Sequence, residues 1–216
     1  RHVDAINSLN VFPVPDGDTG TNMYGTLEGI QSRMRTVEYA DLRELTDLLS
    51  QAALYEGRGN SGIILSQIFR GLAEYLSVHT SEIDLEIISG AIGNARVKAF
   101  DSVAEPTEGT MLTVLSDVAN RADSLKGKEI SVKNLFKLLV EEAQRSVDRT
   151  PELLPILKDS GVVDSGGYGI EVRSHAMAFV YGRDDFVHET IQPDHNVFVA
   201  RVERFGSKFF QGLAYF

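Results

Sequence analysis

The sequence predicts an all-α fold, because apolar residues recur at helical spacing through most of the chain. Glycine, proline and hydroxyl residues gather in the short links between these segments. The chain contains no repeat of fixed period and no low-complexity tract. Eight helices are expected, over residues 21–35, 40–56, 60–79, 83–103, 108–125, 131–148, 150–158 and 165–181.

Several of the predicted helices begin at residues that cap or open helices well. These are Asn60, Ser131, Thr150 followed by Pro151, and Ser165. Gly161 fits the end of the seventh helix. The opening residues already carry a helical pattern, so we expect the natural N-terminus to lie upstream. After the eighth helix a β-like run and several aromatic residues follow. We therefore expect a helical domain over residues 1–185 and an extension over 186–216 that begins a further domain.

Composition limits the classes of function. The chain has 216 residues, of which 43% are hydrophobic, enough for one substantial core. A net charge of -10 argues against a nucleic-acid partner, because no basic stripe is present to neutralise a phosphate backbone. The absence of cysteine excludes disulfides, thiolate metal sites and cysteine nucleophiles, and it agrees with a cytoplasmic location. No apolar run reaches the length of an integral membrane span, and the first residues do not form a signal peptide.

The densest motif is the segment 10–23, which places Asp16 and Asp18 one residue apart among glycines and prolines, just before a helix. Carboxylate, amide and hydroxyl oxygens suit Mg²⁺, which keeps several waters and is often completed by substrate phosphates. The following helix start would direct free N–H groups at the same phosphates. The alternative is that both aspartates form a turn and cap a helix. A calcium loop of the EF-hand type is excluded, since Leu27 stands where a bidentate glutamate is needed.

A second motif, at residues 57–62, reads Gly-Arg-Gly-Asn-Ser-Gly and matches the pattern G-x-G-x-x-G. It is not a Rossmann fingerprint, because it follows a predicted helix instead of a strand. It is not a Walker loop, because Ile63 stands where a lysine is required. Its small residues would let the N–H groups of a helix start reach a phosphate, with Ser61 adding a hydroxyl. The alternative is a tight turn between two helices.

Two further motifs, residues 105–112 and 163–169, also place hydroxyl groups and glycine at predicted helix starts. Asp164 is suited either to cap its helix or to reach a metal-bound water. For Met111 and Leu112 the alternative is ordinary packing in the core. If the four motifs meet at one end of a bundle, they form a phosphate and ribose pocket beside Asp16 and Asp18.

The motifs at 10–23, 58–67, 108–114 and 163–170 together resemble the nucleotide-binding domain of the fatty acid kinase ATP-binding subunit. That domain is related to the L subunit of dihydroxyacetone kinase, and the segment Phe12-Pro13-Val14-Pro15 is typical of the fatty acid kinase branch. The resemblance implies a barrel of about eight antiparallel helices. It also implies that loops at one end of the barrel hold ATP or ADP and two Mg²⁺ ions.

The same resemblance implies roles for individual residues. Asp16 and Asp18 would be catalytic and would bind the metal. Asn10 stands at about the position of a third family carboxylate, and its amide lowers the negative charge of the metal site by one. The implied nucleotide contacts are Thr19, Gly20, Thr21, Asn22, Asn60, Ser61, Gly62, Thr110, Met111, Asp164, Ser165 and Gly166.

The implied reaction is phosphoryl transfer from ATP to a fatty acid carboxylate, presented by a fatty-acid-binding partner of the DegV type. Such a transfer needs positioning and charge neutralisation more than a general base. The five histidines accordingly lie outside the four motifs. Two alternatives stay open, a dihydroxyacetone-type sugar kinase subunit and a non-catalytic nucleotide-binding module. In the family, further domains contact the lipid carrier, and a homodimer is expected to form through them.

Overall fold

The computed structural model describes residues 2–35, 41–79 and 83–181. Within these residues the chain forms nine helices and no strand, which confirms the predicted all-α class. The helices are α1 (Val3–Ser8), α2 (Thr19–Arg35), α3 (Leu42–Glu56), α4 (Gly59–Ser77), α5 (Leu85–Asp101), α6 (Met111–Asp123), α7 (Val132–Leu153), α8 (Pro155–Ser160) and α9 (Ser165–Tyr181). The predicted extension over 186–216 lies outside the described residues. No described helix is both long and apolar enough to cross a membrane.

Six of the longer helices form a closed ring. Helix α2 contacts α4, α4 contacts α5, α5 contacts α6, α6 contacts α7, α7 contacts α9, and α9 returns to α2. Helix α1 contacts both α2 and α9, and α3 contacts both α2 and α4. The core consists of apolar side chains that are almost fully buried, among them Ile6, Met23, Ile30, Val114 and Leu135. Burial of this apolar surface is the main force that holds the ring together.

Helix α7 passes through Pro151, where the sequence predicted a break and a new helix beginning at Thr150. A proline inside a helix has no N–H, so here the carbonyl of Val147 loses its usual backbone donor. The hydroxyl of Thr150 donates to that carbonyl at 2.7 Å and replaces the missing hydrogen bond. The helix therefore continues to Leu153, and α8 is shorter than predicted.

Other predicted boundaries are confirmed or shift slightly. Ser131 caps α7 by accepting a hydrogen bond of 3.3 Å from the N–H of Asn134, as predicted. Gly161 ends α8 in the left-handed conformation, also as predicted. Helices α2 and α4 begin a little before their predicted starts. Helix α6 begins only at Met111, because Gly109 has a φ of 79° that a right-handed helix cannot contain.

Candidate functional site

The loops before α2, α4, α6 and α9 surround one cavity of about 680 Å³, so these four helices begin at the same end of the ring. The volume is typical of small-molecule sites. Most of the residues predicted for the site line this cavity: Asn10, Asp16, Asp18, Thr19, Asn22, Asn60, Ser61, Thr110, Met111, Asp164, Ser165 and Gly166. The structure thus brings the four separate sequence motifs together.

Three predicted contacts do not line the cavity, because they join helices to one another. A side chain on Gly20 would place its Cβ 2.4 Å from the carbonyl oxygen of Val3, so this glycine lets α1 approach α2. The N–H of Thr21 donates to Asn7 Oδ1 at 3.1 Å. A Cβ on Gly62 would lie 2.2 Å from Thr26 Oγ1, so this glycine lets α4 approach α2.

Asp16 and Asp18 lie at the exposed edge of the cavity. No described residue hydrogen-bonds or ion-pairs with the carboxylate of Asp16. Asp18 Oδ2 accepts a hydrogen bond of 2.7 Å from Asn22 Nδ2, and the backbone carbonyl of Asp18 accepts one from the N–H of Asn22 at 2.8 Å. Asp18 therefore stands directly before the first turn of α2, with one carboxylate oxygen left open to the cavity.

Asn10 organises the loop that carries the two aspartates. Its side chain is buried, and Nδ2 donates to the carbonyls of Phe12 at 3.3 Å and Val14 at 3.1 Å. Its Oδ1 accepts the N–H of Asp18 at 3.3 Å. Asn10 was predicted from the sequence as a metal ligand, and these partners leave one lone pair of Oδ1 for that purpose. The role of Asn10 in holding the loop was not predicted from the sequence, because no sequence pattern indicates its contacts to three backbone groups.

The donor set suits a hard cation that keeps part of its water shell. Within the described residues no group of three or more His, Cys, Asp or Glu could enclose a metal by itself. Two carboxylates and one amide oxygen are instead what Mg²⁺ uses when phosphates and waters complete its coordination. The cavity is also lined by Glu105 and Asp164, and by no lysine or arginine among the described residues. An anionic ligand in this cavity therefore needs a cation beside it.

Thr19 connects three of the helix starts. The hydroxyl of Ser165, at the first residue of α9, donates to Thr19 Oγ1 at 3.2 Å. The hydroxyl of Ser61, in the first turn of α4, donates to the backbone carbonyl of Thr19 at 3.3 Å. Thr19 and Ser165 are both buried. The predicted nucleotide contacts on α2, α4 and α9 are thus held to one another by hydroxyl groups.

Asp164 connects the starts of α6 and α9. Its side chain is only 5% exposed, and Oδ2 accepts the N–H of Gly167 at 2.7 Å. The N–H groups of Met111 and Gly166 also stabilise the charged form of its carboxylate. Burial raises the pKa of Asp164 to about 6, although these N–H groups act in the opposite direction. The cap was foreseen for α9, but the bond to α6 was not, because it depends on tertiary packing.

The start of α4 is the part of the cavity with free donors. Arg58, which precedes the helix, makes no side-chain cap. The N–H groups of Asn60 and Ser61 donate to no acceptor within the described part of the chain. One wall of the cavity is apolar. Its residues were not singled out for the site from the sequence: Phe12, Pro13, Val14, Ile63, Ile64, Val103 and Ala104. The cavity therefore has a polar end that suits anions and an apolar wall.

A ring of helices with an acidic loop and free helix-start donors at one end defines a helical domain suited to bind an anionic ligand together with a cation. A family model described as the DAK2 domain matches residues 13–178 of the chain. The chain belongs to the DAK2 domain family, a kinase-related, nucleotide-binding class related to the dihydroxyacetone kinase L subunit. This match confirms the resemblance predicted from the four motifs.

Three bacterial relatives illustrate the similarity. Protein YloV of Bacillus subtilis (strain 168) is 42% identical over 170 residues, which are 79% of this chain and 31% of that protein. Uncharacterized protein MG369 of Mycoplasma genitalium is 38% identical over 209 residues, 92% of this chain and 37% of that protein. Uncharacterized protein SAUSA300_1119 of Staphylococcus aureus (strain USA300) is 38% identical over 201 residues, 88% of this chain and 36% of that protein. The chain thus spans about a third of the length of these relatives.

Proposed function

We propose that this domain binds ATP with Mg²⁺ and transfers the γ-phosphoryl group to a fatty acid carboxylate, presented by a fatty-acid-binding partner of the DegV type. One observation carries the proposal. The cavity combines the two exposed carboxylates of Asp16 and Asp18 with the free helix-start donors of Asn60 and Ser61, and no lysine or arginine is among its described lining residues. Such a site favours a polyphosphate that arrives with its own cations.

In this proposal the polar end and the apolar wall of the cavity orient the nucleotide. Its phosphates lie between the acidic loop and the first turn of α4, where Asn60 and Ser61 donate their N–H groups. Its base lies against the apolar wall, which includes Ile64 and Val103, and Met111 is a further apolar contact. Thr19, Asn22, Thr110, Ser165 and Gly166 are proposed as the further contacts along the nucleotide.

Asp16 and Asp18 hold the metal in this proposal, and Asn10 contributes the free lone pair of its amide oxygen. When bound, Mg²⁺ supplies positive charge that offsets the charge of the phosphate oxygens, which two ions would do more completely than one. Asn10 keeps the loop in shape, so that the carboxylates need little reorganisation before they meet their ligand. Asn22 holds Asp18 in place through its amide.

The reaction needs no protein nucleophile. A carboxylate oxygen of the fatty acid forms a bond to the γ-phosphorus, while the bond from that phosphorus to the bridging oxygen breaks. ADP leaves with the electron pair, and the product is an acyl phosphate. The fatty acid is already ionised at pH 7, so no proton has to be removed before attack. Neither His2 nor His79 is among the residues that line the cavity.

The test uses the full-length protein and measures ADP release. We expect release with a fatty-acid-loaded carrier of the DegV type, and none with dihydroxyacetone and its own partner subunit. The opposite result would favour the sugar kinase, and release with neither would favour a non-catalytic module. Calorimetry with ADP in excess Mg²⁺ and again in EDTA tests the binding step separately. Equal affinity in the two conditions would contradict the role given to Asp16 and Asp18.

A further inference from the structure

We infer that Asp164 is a positioning residue that locks the first turns of α6 and α9 together and so sets the shape of the nucleotide cavity. The inference rests on the proposed function and refines it, because the sequence placed Asp164 among the nucleotide contacts. Its carboxylate instead accepts the N–H of Gly167 in α9, and the N–H of Met111 at the start of α6 stabilises its charged form. Asp164 acts on the ligand through the residues it holds.

The first turns of α6 and α9 both need hydrogen-bond acceptors. The first N–H groups of any helix lack acceptors within the helix, and buried ones need a partner. Thr110 precedes α6 but makes no side-chain cap, and the N–H of Met111 instead stabilises the charged carboxylate of Asp164. In the first turn of α9, the N–H of Gly167 donates to the same carboxylate, and the N–H of Gly166 also stabilises its charge. One side chain thus supplies acceptors for two helices.

The glycines that follow Asp164 let α9 pack closely against α6. A Cβ on Gly166 would lie 3.1 Å from both Cβ and Sδ of Met111. A Cβ on Gly167 would lie 2.8 Å from Val114 Cγ2, closer than real side chains approach. Both glycines therefore permit α9 to lie against α6 closely enough for one carboxylate to serve both. The motif Asp-Ser-Gly-Gly at 164–167 is explained by this packing.

Asp164 is itself anchored to α7. Its own N–H donates to Thr150 Oγ1 at 3.0 Å, which ties the residue to the end of α7. Thr110 and Met111 line the cavity from the α6 side, and Ser165 and Gly166 line it from the α9 side. A movement between the two helices would displace both sets of lining residues. Nucleotide affinity should therefore depend on the lock.

A double-mutant cycle separates positioning from direct contact. Asp164→Asn keeps the size of the side chain but removes one of two acceptor oxygens. Gly167→Ala keeps the carboxylate group but adds a Cβ that would lie 2.8 Å from Val114 Cγ2 and 3.3 Å from Asp164 Oδ2, so it pushes α9 away from α6; Gly167 does not line the cavity. Calorimetry measures the affinity of each variant and of the double variant for ADP in excess Mg²⁺. We expect each single change to weaken binding on the order of tenfold, and the double change to weaken it little further, because both release the same lock.

The matched control is Asp84→Asn. Asp84 caps α5 by accepting the N–H of Ile87 at 2.8 Å, and it does not line the cavity. This variant loses an equivalent helix cap and should bind ADP as the unchanged protein does. Fully additive losses in the cycle, unchanged affinity of Asp164→Asn, or an equal loss in Asp84→Asn would overturn the inference.

Amide hydrogen exchange provides a second readout that needs no nucleotide. The N–H of Met111 should exchange faster in Asp164→Asn and in Gly167→Ala, whereas that of Ile87 should not change. Unchanged protection of Met111 in either variant would contradict the lock. If Asp164→Asn does not fold, Gly167→Ala decides the question alone. If the unchanged protein binds no ADP with Mg²⁺, the proposed function fails, while the exchange experiment still judges the lock.

Discussion

The hydroxyl of Ser165 donates a hydrogen bond of 3.2 Å to the hydroxyl of Thr19, across 146 residues of sequence. Both side chains are buried at the end of the ring where the cavity lies. The bond joins the first turn of α9 to the first turn of α2, and these two helices close the ring.

Replacing Thr19 by valine keeps the shape of the side chain but removes the acceptor for Ser165. A buried hydroxyl left without a partner costs about 1–3 kcal/mol, so the free energy of unfolding should fall by that amount in urea titrations. The double variant Thr19→Val with Ser165→Ala removes both partners and should recover much of the loss. A double variant as unstable as the sum of the single ones would show that the hydroxyls do not act as a pair.

Gly62→Ala should destabilise the fold, although Gly62 was predicted as a phosphate contact. The added Cβ would lie 2.2 Å from Thr26 Oγ1 and 3.0 Å from the carbonyl of Asn22, so α4 has to move away from α2. We expect the free energy of unfolding to fall by about 1–3 kcal/mol, as for other overpacked sites. The control is Gly93→Ala in α5, where a Cβ meets nothing within 4 Å and helix propensity should raise stability by about 0.5–1 kcal/mol. Equal effects at the two sites would contradict the packing role.

Asp18→Asn tests catalysis separately from binding. The change keeps the size of the side chain and removes one negative charge from the proposed metal site. Turnover by the full-length protein with its loaded carrier should fall more than 10²-fold, about 3 kcal/mol of transition-state stabilisation, with a smaller loss of nucleotide affinity. The asymmetry arises because the transferring phosphoryl group develops charge in the transition state. Asp159→Asn, an exposed carboxylate that does not line the cavity, should leave turnover unchanged. Near-normal turnover of Asp18→Asn would rule out the metal-centred mechanism.

The pH dependence of stability should reveal Asp164. Its pKa is about 6 in the folded protein and has an ordinary value of 3.8 when exposed, so the folded state favours the protonated form. The resulting stabilisation is present below about pH 4 and is lost as the pH rises toward 6. Urea titrations of the unchanged protein and of Asp164→Asn should therefore diverge across this window, by on the order of 2–3 kcal/mol. Parallel curves, or a relative gain for the unchanged protein with rising pH, would show that the carboxylate is not buried as described.

Hydrophobic spacing was sufficient to predict most helices, because burial against neighbours demands an apolar stripe on each of them. The proline signal was misleading at Pro151, because a proline ordinarily ends a helix and here lies inside α7. The hydroxyl of Thr150 compensates for the missing N–H, and its own position depends on the N–H of Asp164 bonding the same oxygen. That second contact comes from a residue 14 positions further along the chain, beyond α8, so no pattern around Pro151 predicts it.

The same limit applies to the glycines of the candidate site. Gly20, Gly62 and Gly166 were all predicted as nucleotide contacts, but only Gly166 lines the cavity. A glycine that faces a ligand and one that faces a neighbouring helix both serve by lacking a Cβ. The sequence shows where the Cβ is missing, but it does not show whether a ligand or a neighbouring helix lies against the glycine. The acidic loop was easier to locate, because Asp16 and Asp18 are exposed charged groups that the core cannot explain.

Helix α9 carries Ser165, Gly166 and Gly167, and it is the last helix within the described residues. During synthesis the acidic loop leaves the ribosome first and waits for residues made more than a hundred positions later. A nascent chain that stops before α9 has its aspartates but lacks the side of the cavity that Ser165 and Gly166 line. A ligand that needs the closed cavity can therefore bind only after α9 has docked. Binding of such a ligand would indicate that the ring of helices has finished folding.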